Sequence, residues 1–407
     1  MFSENHSASF KSVTRFVAKE SSSDGRDQSS SIMRIGGGAL GEVPAILKSL
    51  RCTRPLIVTD EFLLKRGLPC QLSDAIGQSE IECAIFSDTV PDPTTEVVEA
   101  GVRLFTSGKH DSLVSIGGGS PIDTAKAIGM LAANQGTIRQ YRVPNVIPNP
   151  GPVHVAIPTT AGTGSEVSRF TVITDSANGE KMLIAGSVLV PKAAVVDYTL
   201  KMSMPARLTA DTGTDSLTHA IEAYVSRKAN PFSDTFALSA MRTIWHELPK
   251  TFREPANSKA REAMMLAATL AGIAFSSASV ALVHGMSRPI GAFFHVPHGL
   301  SNAMLLPAVT AFSIKSAIQR YAGCARTMQI ATASDSDEIC TEKLVNALFL
   351  RNAELEVPSP SKYGISEGAY FKAIPIMATQ ALASGSPQNN PRVPTAAEIE
   401  QLYKEVW

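Results

Sequence analysis

The chain has 407 residues, 44% of them hydrophobic and 18% charged, which excludes disorder as its main state and leaves room for two domains with cores of their own. Thirty-seven basic residues balance thirty-seven acidic ones, so no global field draws it to nucleic acid or to an anionic membrane surface. Its five cysteines, Cys52, Cys70, Cys83, Cys324 and Cys340, are scattered and never in CxxC spacing, which excludes a disulfide framework or thiolate zinc site and fits a reducing compartment.

Residues 1–31 are Ser-rich and read as a flexible N-terminal extension. Lys11, Arg15 and Lys19 give it some likeness to a mitochondrial presequence, against which stand Glu4, Glu20 and Asp24. No apolar run approaches the roughly 20 residues that span a bilayer, so a cytoplasmic location is expected.

From about Ile32 to Val196 short β-rich runs alternate with helical ones, the pattern of a parallel sheet with crossover helices. The run Pro55–Asp60 ends in a carboxylate. Asp60 either accepts from a ribose hydroxyl, favouring NAD over NADP by repelling a 2′-phosphate, or caps a helix over Glu61–Arg66. A second run is Ile81–Phe86. Thr94–Ser107 then reads as a crossover helix with Val97, Val98, Ala100, Val102 and Leu104 on its buried stripe.

The run Ser112–Ile116 leads into Gly117-Gly-Gly-Ser-Pro-Ile-Asp-Thr-Ala-Lys126, with Ser120 expected as N-cap and Pro121 at the first helical position. Either this is a tight ligand-free turn, or the helix N-terminus binds a pyrophosphate through Gly118, Gly119 and Ser120. The run Val153–Ile157 opens into a second loop, Pro158-Thr-Thr-Ala-Gly-Thr-Gly-Ser-Glu-Val-Ser168, rich in hydroxyls. Both loops leave the carboxyl ends of expected parallel strands, where open α/β sheets bind nucleotides.

Strand signals fade after Met204, and Phe236–Leu248 and Ala260–Ala281 read as helices. The expected architecture is therefore an α/β dinucleotide-binding domain with a parallel sheet over 32–200, followed by an all-α metal-binding domain over 201–407. In that second domain Asp215 and His219 are four apart, on one helix face. Three of the eight histidines, His284, His295 and His298, fall within fifteen residues of an otherwise apolar stretch. Each alone could be a satisfied core or cap residue. One carboxylate with two or three imidazoles is a ligand set for a divalent ion such as Zn2+ or Fe2+. Phe293 and Phe294 either line a pocket or belong to a core.

These residues resemble the iron-containing (group III) alcohol dehydrogenase family over nearly the whole chain from Ile32. The resemblance rests on the two glycine loops, on Asp215-Ser-Leu-Thr-His-Ala-Ile-Glu-Ala-Tyr224, on Val283-His-Gly-Met, and on Pro297-His-Gly-Leu-Ser-Asn-Ala303. It implies metal ligands Asp215, His219, His284 and His298, leaving out His295. It further implies a cofactor site lined by Asp123, Thr159, Thr160 and Thr163 and reached by Lys181, an active site between the domains, and a homodimer.

One departure stands out. Many members carry a histidine four residues after the third ligand, and here that position is Arg288, which cannot serve as a proton relay. Arg288 either pairs with a carboxylate of the helical domain or faces the pocket and attracts an anionic substrate group, leaving His295 to exchange protons with solvent. The second alternative predicts that Arg288→His weakens turnover of a carboxylated substrate more than that of a neutral alcohol. Equal losses on both would exclude it.

The implied activity is hydride transfer between a small alcohol, diol or hydroxy acid and NAD, with the metal polarising the reacting oxygen. A rival is a sugar-phosphate cyclase of the dehydroquinate synthase type, which shares the plan but regenerates NAD in each cycle. Its phosphate-binding basic clusters are not evident.

Overall fold

The computed structural model describes residues 12–16 and 31–407. Of the expected extension only the strand Ser12–Phe16, which holds Arg15, and Ser31 are described; Lys11 and Lys19 lie outside the described residues.

The first half is built on strands β1 (Ser12–Phe16), β2 (Ser31–Ile35), β3 (Pro55–Asp60), β4 (Ala84–Thr89), β5 (Ser112–Gly117), β6 (Val153–Pro158), β7 (Phe170–Asp175), β8 (Glu180–Ala185) and β9 (Ala193–Val196). Seven of them form one sheet in the order β1-β2-β9-β6-β5-β3-β4, parallel throughout except for β1 against β2. Helices α1 (Val43–Ser49), α2 (Glu61–Lys65), α3 (Leu68–Gly77), α4 (Thr95–Ser107) and α5 (Gly119–Ala133) cross between strands. Because helices cover both faces, β5 and most of β3 and β6 are buried on both sides, which is why they read as continuous apolar runs. Strand order reverses between β3 and β5, so the crevice at their carboxyl ends is where such a sheet takes a ligand.

Three local expectations need correction. The run at 81–86 enters the sheet only at Ala84 and continues to Thr89: Ile81 is buried, but pairing with β3 begins at Leu56↔Ala84. On α4 the fully buried face is Thr95, Val98, Gly101 and Phe105, while Val97, Ala100, Val102 and Leu104 are half-buried, because the helix packs along a single narrow stripe. Finally, β7 and β8 form an antiparallel hairpin outside the parallel sheet. Its signal is Asn178-Gly179 between two runs of alternating burial, with Gly179 at φ 72°.

The second half is helical: α6 (Ala206–Val225), α7 (Pro231–Arg253), α8 (Ser258–Ala278), α9 (Leu282–Phe294), α10 (His298–Ser313), α11 (Ile318–Thr327), α12 (Asp337–Glu354), α13 (Pro360–Tyr363), α14 (Glu367–Ala383) and α15 (Ala396–Glu405). One continuous core unites α6 to α12, α14 and α15. α8 stops at Ala278, three residues before the expected end, because Ser279 takes φ 66° and α9 leaves at 106° to α8. That bend turns the first turn of α9 toward α6. Among the described residues no single helix is long and apolar enough to cross a membrane.

The halves are joined where the second glycine loop meets α6 and α8. Gly164 sits at φ 60°, and a Cβ there would lie 2.5 Å from Gly272 Cα. Gly164→Ala is therefore expected to cost about 2–4 kcal/mol, from the left-handed backbone and the overlap together. An unchanged urea midpoint would show that the loop gives way.

Candidate metal and cofactor site

The two glycine loops form one floor. α5 begins at Gly119 with an extended Gly118 as N-cap, so Ser120 and Pro121 are its second and third residues rather than its cap and first. The glycines let the chain enter the helix directly from β5, and the absent N–H of Pro121 falls in the first turn, where such groups have no helical acceptor. Thr159 N donates to Gly117 O at 2.8 Å, locking the second loop beside the first. Thr160 and Thr163 pack over the glycines: a Cβ on Gly119 would stand 2.8 Å from Thr163 Cγ2. Gly118, Gly119, Ser120, Thr159, Thr160 and Thr163 are thus brought together at one helix N-terminus, a geometry that suits a pyrophosphate.

Asp60 lies across the crevice at the end of β3. Its Oδ1 accepts from Leu63 N at 2.8 Å, so it caps α2, while among the described residues Oδ2 has no protein donor. Asp123 differs from expectation, since both its oxygens are committed to the protein. Oδ1 accepts from Ser165 Oγ (3.0 Å) and Oδ2 from Val172 N (2.9 Å). It is a strut between α5, the second loop and the hairpin. Lys126 reinforces that strut by donating to the carbonyls of Ser168 and Phe170, and burial pushes its ammonium down to about 8. Lys181, on β8, is nearly buried and pairs with Asp92 at 2.7 Å. Its Nζ stands 3.2 Å from where a Cβ on Gly291 would be, so it spans from the hairpin to α9.

The carboxylate and imidazoles converge at the other wall. Asp215 on α6, His284 on α9 and His298 at the start of α10 place one ligand atom each within 4.8 Å of one another. His284 Nε2 is 3.4 Å and His298 Nε2 3.8 Å from Asp215 Oδ1. His219 lies at their edge: its Nε2 is 3.8 Å from the same oxygen, and its ring stacks on Phe275 and His284. Its Nδ1 is buried without a hydrogen-bond partner among the described residues. Burial pushes His219 down to about 3, which keeps it neutral. Burial opposes ionisation of Asp215, yet His219, His298 and His284 hold it well below the usual carboxylate range.

Two residues whose roles the spacing alone did not assign complete the arrangement. Glu222, one turn beyond His219 on α6, accepts from Ala281 N (2.8 Å), Val283 N (2.6 Å) and His284 Nδ1 (2.7 Å). It thereby fixes the His284 tautomer and turns Nε2 toward Asp215. Asn302, four residues after His298, places Nδ2 at 2.7 Å from Asp215 Oδ1, 3.2 Å from His284 Nε2 and 3.3 Å from His298 Nε2. One positively polarised nitrogen stands where three acceptor atoms converge, the arrangement a cation would satisfy. With one carboxylate and two imidazoles converging there, these residues fit a divalent ion. The Asp215–His219–Glu222 spacing and the His298–Asn302 spacing were the available signals.

His295 is exposed at the C-cap of α9, with φ 54°, and stands outside the cluster. Phe294 packs on Tyr370 and belongs to the helical core, whereas Phe293 is 39% exposed. Among the described residues Arg288 takes neither a carboxylate nor a histidine partner; its Nη1 donates to Ser386 Oγ at 2.9 Å. Ser216, beside Asp215, donates to the carbonyls of Ala161 and Gly162, so the Asp215 cluster and the second glycine loop are tied to each other.

Comparison with known proteins agrees with this arrangement. A profile described as iron-containing alcohol dehydrogenase matches residues 30–198, and one for the C-terminal part of the Fe-containing alcohol dehydrogenase family matches 209–407. The chain is 40% identical over 371 residues to the NAD-dependent methanol dehydrogenase of Bacillus methanolicus, covering 91% of this chain and 96% of that protein. It is 34% identical over 375 residues to the 1,3-propanediol dehydrogenase of Citrobacter freundii, with the same shares, 91% and 96%. The crystal structure of a 1,3-propanediol oxidoreductase superposes with a TM-score of 0.88 at 33% identity, covering 92% of this chain and 98% of that one.

Proposed function

The chain belongs to the iron-containing alcohol dehydrogenase family, and from that premise we propose that it transfers hydride between a small alcohol, diol or hydroxy acid and NAD at the Asp215, His284 and His298 cluster. Membership in this family sets the cyclase aside. The observation that carries the reading is the approach of three donor atoms to within 4.8 Å, on elements tied to a glycine loop through Ser216. The NAD dependence named for the methanol dehydrogenase relative supports the choice of cofactor.

In this reading Asp215, His284 and His298 hold the ion, with His219 as fourth ligand. When bound, the ion supplies Lewis acidity to an alcohol or carbonyl oxygen, and the nicotinamide supplies the hydride acceptor. Glu222 holds His284 in the tautomer that leaves Nε2 free. Gly118, Gly119 and Ser120 offer N–H donors and a positive helix end to the pyrophosphate, and Thr160 and Thr163 close over it. His295, exposed at the C-cap of α9, exchanges protons with solvent. A homodimer in the cytoplasm goes with this reading, supported by the family resemblance; light scattering after size exclusion tests the dimer.

The test of the activity is an anaerobic assay of metal-stripped protein, refilled separately with Fe2+ or Zn2+, using NAD or NADP and a panel of alcohols, diols and hydroxy acids. Accumulating NADH supports the proposal; stoichiometric metal binding with no reduced cofactor on any substrate overturns it.

Asp60 permits a separate test of cofactor choice. Asp60→Asn keeps the acceptor that caps α2 but removes the charge. The ratio of kcat/KM for NADP to that for NAD is expected to rise about tenfold, the removal of one repulsive contact worth roughly 1.4 kcal/mol. An unchanged ratio would confine Asp60 to capping.

A further inference from the structure

We propose that Arg288 selects the substrate, binding the carboxylate of a short hydroxy acid, or of the matching oxo acid, whose other end lies at the metal cluster; this rests on the activity proposed above. His284, Arg288 and Gly291 follow one another at i, i+4 and i+7 on α9 and so share one face. Lys181 Nζ, on the hairpin of the opposite domain, lies against Gly291, so this face looks into the cleft. The positive charges of Arg288 and Lys181 are both felt at His298.

Among the described residues the single hydrogen bond of the guanidinium goes to Ser386 Oγ, and no carboxylate lies within 4.0 Å. Arg207, Arg320, Arg326 and Arg351 each hold an acidic partner, and Arg261, which lacks one, donates to Pro255 O, Thr209 Oγ1 and Met204 O. The acid that Arg288 senses, Glu222, is spent on two backbone N–H groups and His284. Lys181 is neutralised by Asp92. Arg288 is therefore a partly desolvated cation with donors to spare beside the reacting centre. A guanidinium fork matches a carboxylate in two parallel hydrogen bonds, which no neutral alcohol can offer. One helical turn, about 6 Å along the axis, separates it from His284, so the substrate is short.

The test compares matched pairs on the metal-loaded enzyme: glycolate with ethanediol, 3-hydroxypropanoate with 1,3-propanediol, and 4-hydroxybutanoate with 1,4-butanediol. The wild type is expected to prefer the acid in at least one pair. Arg288→Met should lower the acid-to-diol ratio of kcat/KM by about 10- to 100-fold, the span of a charge-assisted hydrogen bond. The loss should fall mainly in KM for the acid, with KM for NAD unmoved, and Arg288→Lys should restore part of it. Propanoate, which cannot react, gives a reading independent of turnover: its calorimetric affinity for wild type should exceed that for Arg288→Met by a similar factor. A diol preference in every pair, equal losses on acids and diols, or a rise in KM for NAD alone would overturn the proposal. If no substrate reduces cofactor, the proposed activity fails, and propanoate binding decides the role of Arg288 by itself.

Discussion

His284→Ala is expected to remove the metal and to lower kcat by on the order of 10³-fold or more, both together. The substitution deletes one of the three converging donor atoms and also leaves the Glu222 oxygen that held His284 Nδ1 buried without that donor. A site reduced to Asp215 and His298, with His219 at its edge, loses the donor nearest Asp215 and with it most of its hold on a divalent ion. Metal per chain by plasma mass spectrometry and turnover on the same sample check the expectation. A variant that is metal-free yet active would sink the mechanism.

Glu222 should show the second largest effect, through both stability and metal affinity. Its carboxylate accepts three buried hydrogen bonds, two of them from the backbone N–H groups of Ala281, just before α9, and Val283, in its first turn. Glu222→Ala leaves those donors unpaired, which is expected to cost about 3–5 kcal/mol in urea denaturation. Glu222→Gln keeps the size but sets an amide N–H against a donor, so the His284 ring loses its fixed tautomer. Metal affinity is then expected to fall about 10- to 100-fold, measured by competition with a chelating dye. An affinity within twofold of wild type would mean that packing alone orients His284.

Much of the cofactor half was legible because its signals are local. Pro55–Asp60 is a strand of those bounds in the structure, and Ser112–Gly117 and Val153–Pro158 extend the expected runs by one residue each. A strand buried on both faces must be apolar along its length, and a glycine loop after it can be read in a dozen residues. The hairpin β7–β8 was harder, since its alternating burial belongs to a small antiparallel pair outside the main sheet. Asp123 shows the limit of motif reading: its place in the first loop is plain, but its partners, Ser165 and Val172, are more than 40 positions away in the chain.

The amino-acid sequence by itself determined the family, the two-part architecture and the residue types of the metal cluster, because helical and strand periods and short motifs are properties of neighbours along the chain. Tertiary structure decided which of those side chains meet. Asp215, His284 and His298 come from three helices, and the 106° bend between α8 and α9 is what brings the first turn of α9 to α6. The same packing gives Arg288, among the described residues, Ser386 as its hydrogen-bond partner and no carboxylate within 4.0 Å. Its partner was never a matter of spacing along the chain, since a salt bridge or a substrate contact depends on which elements the fold sets opposite it.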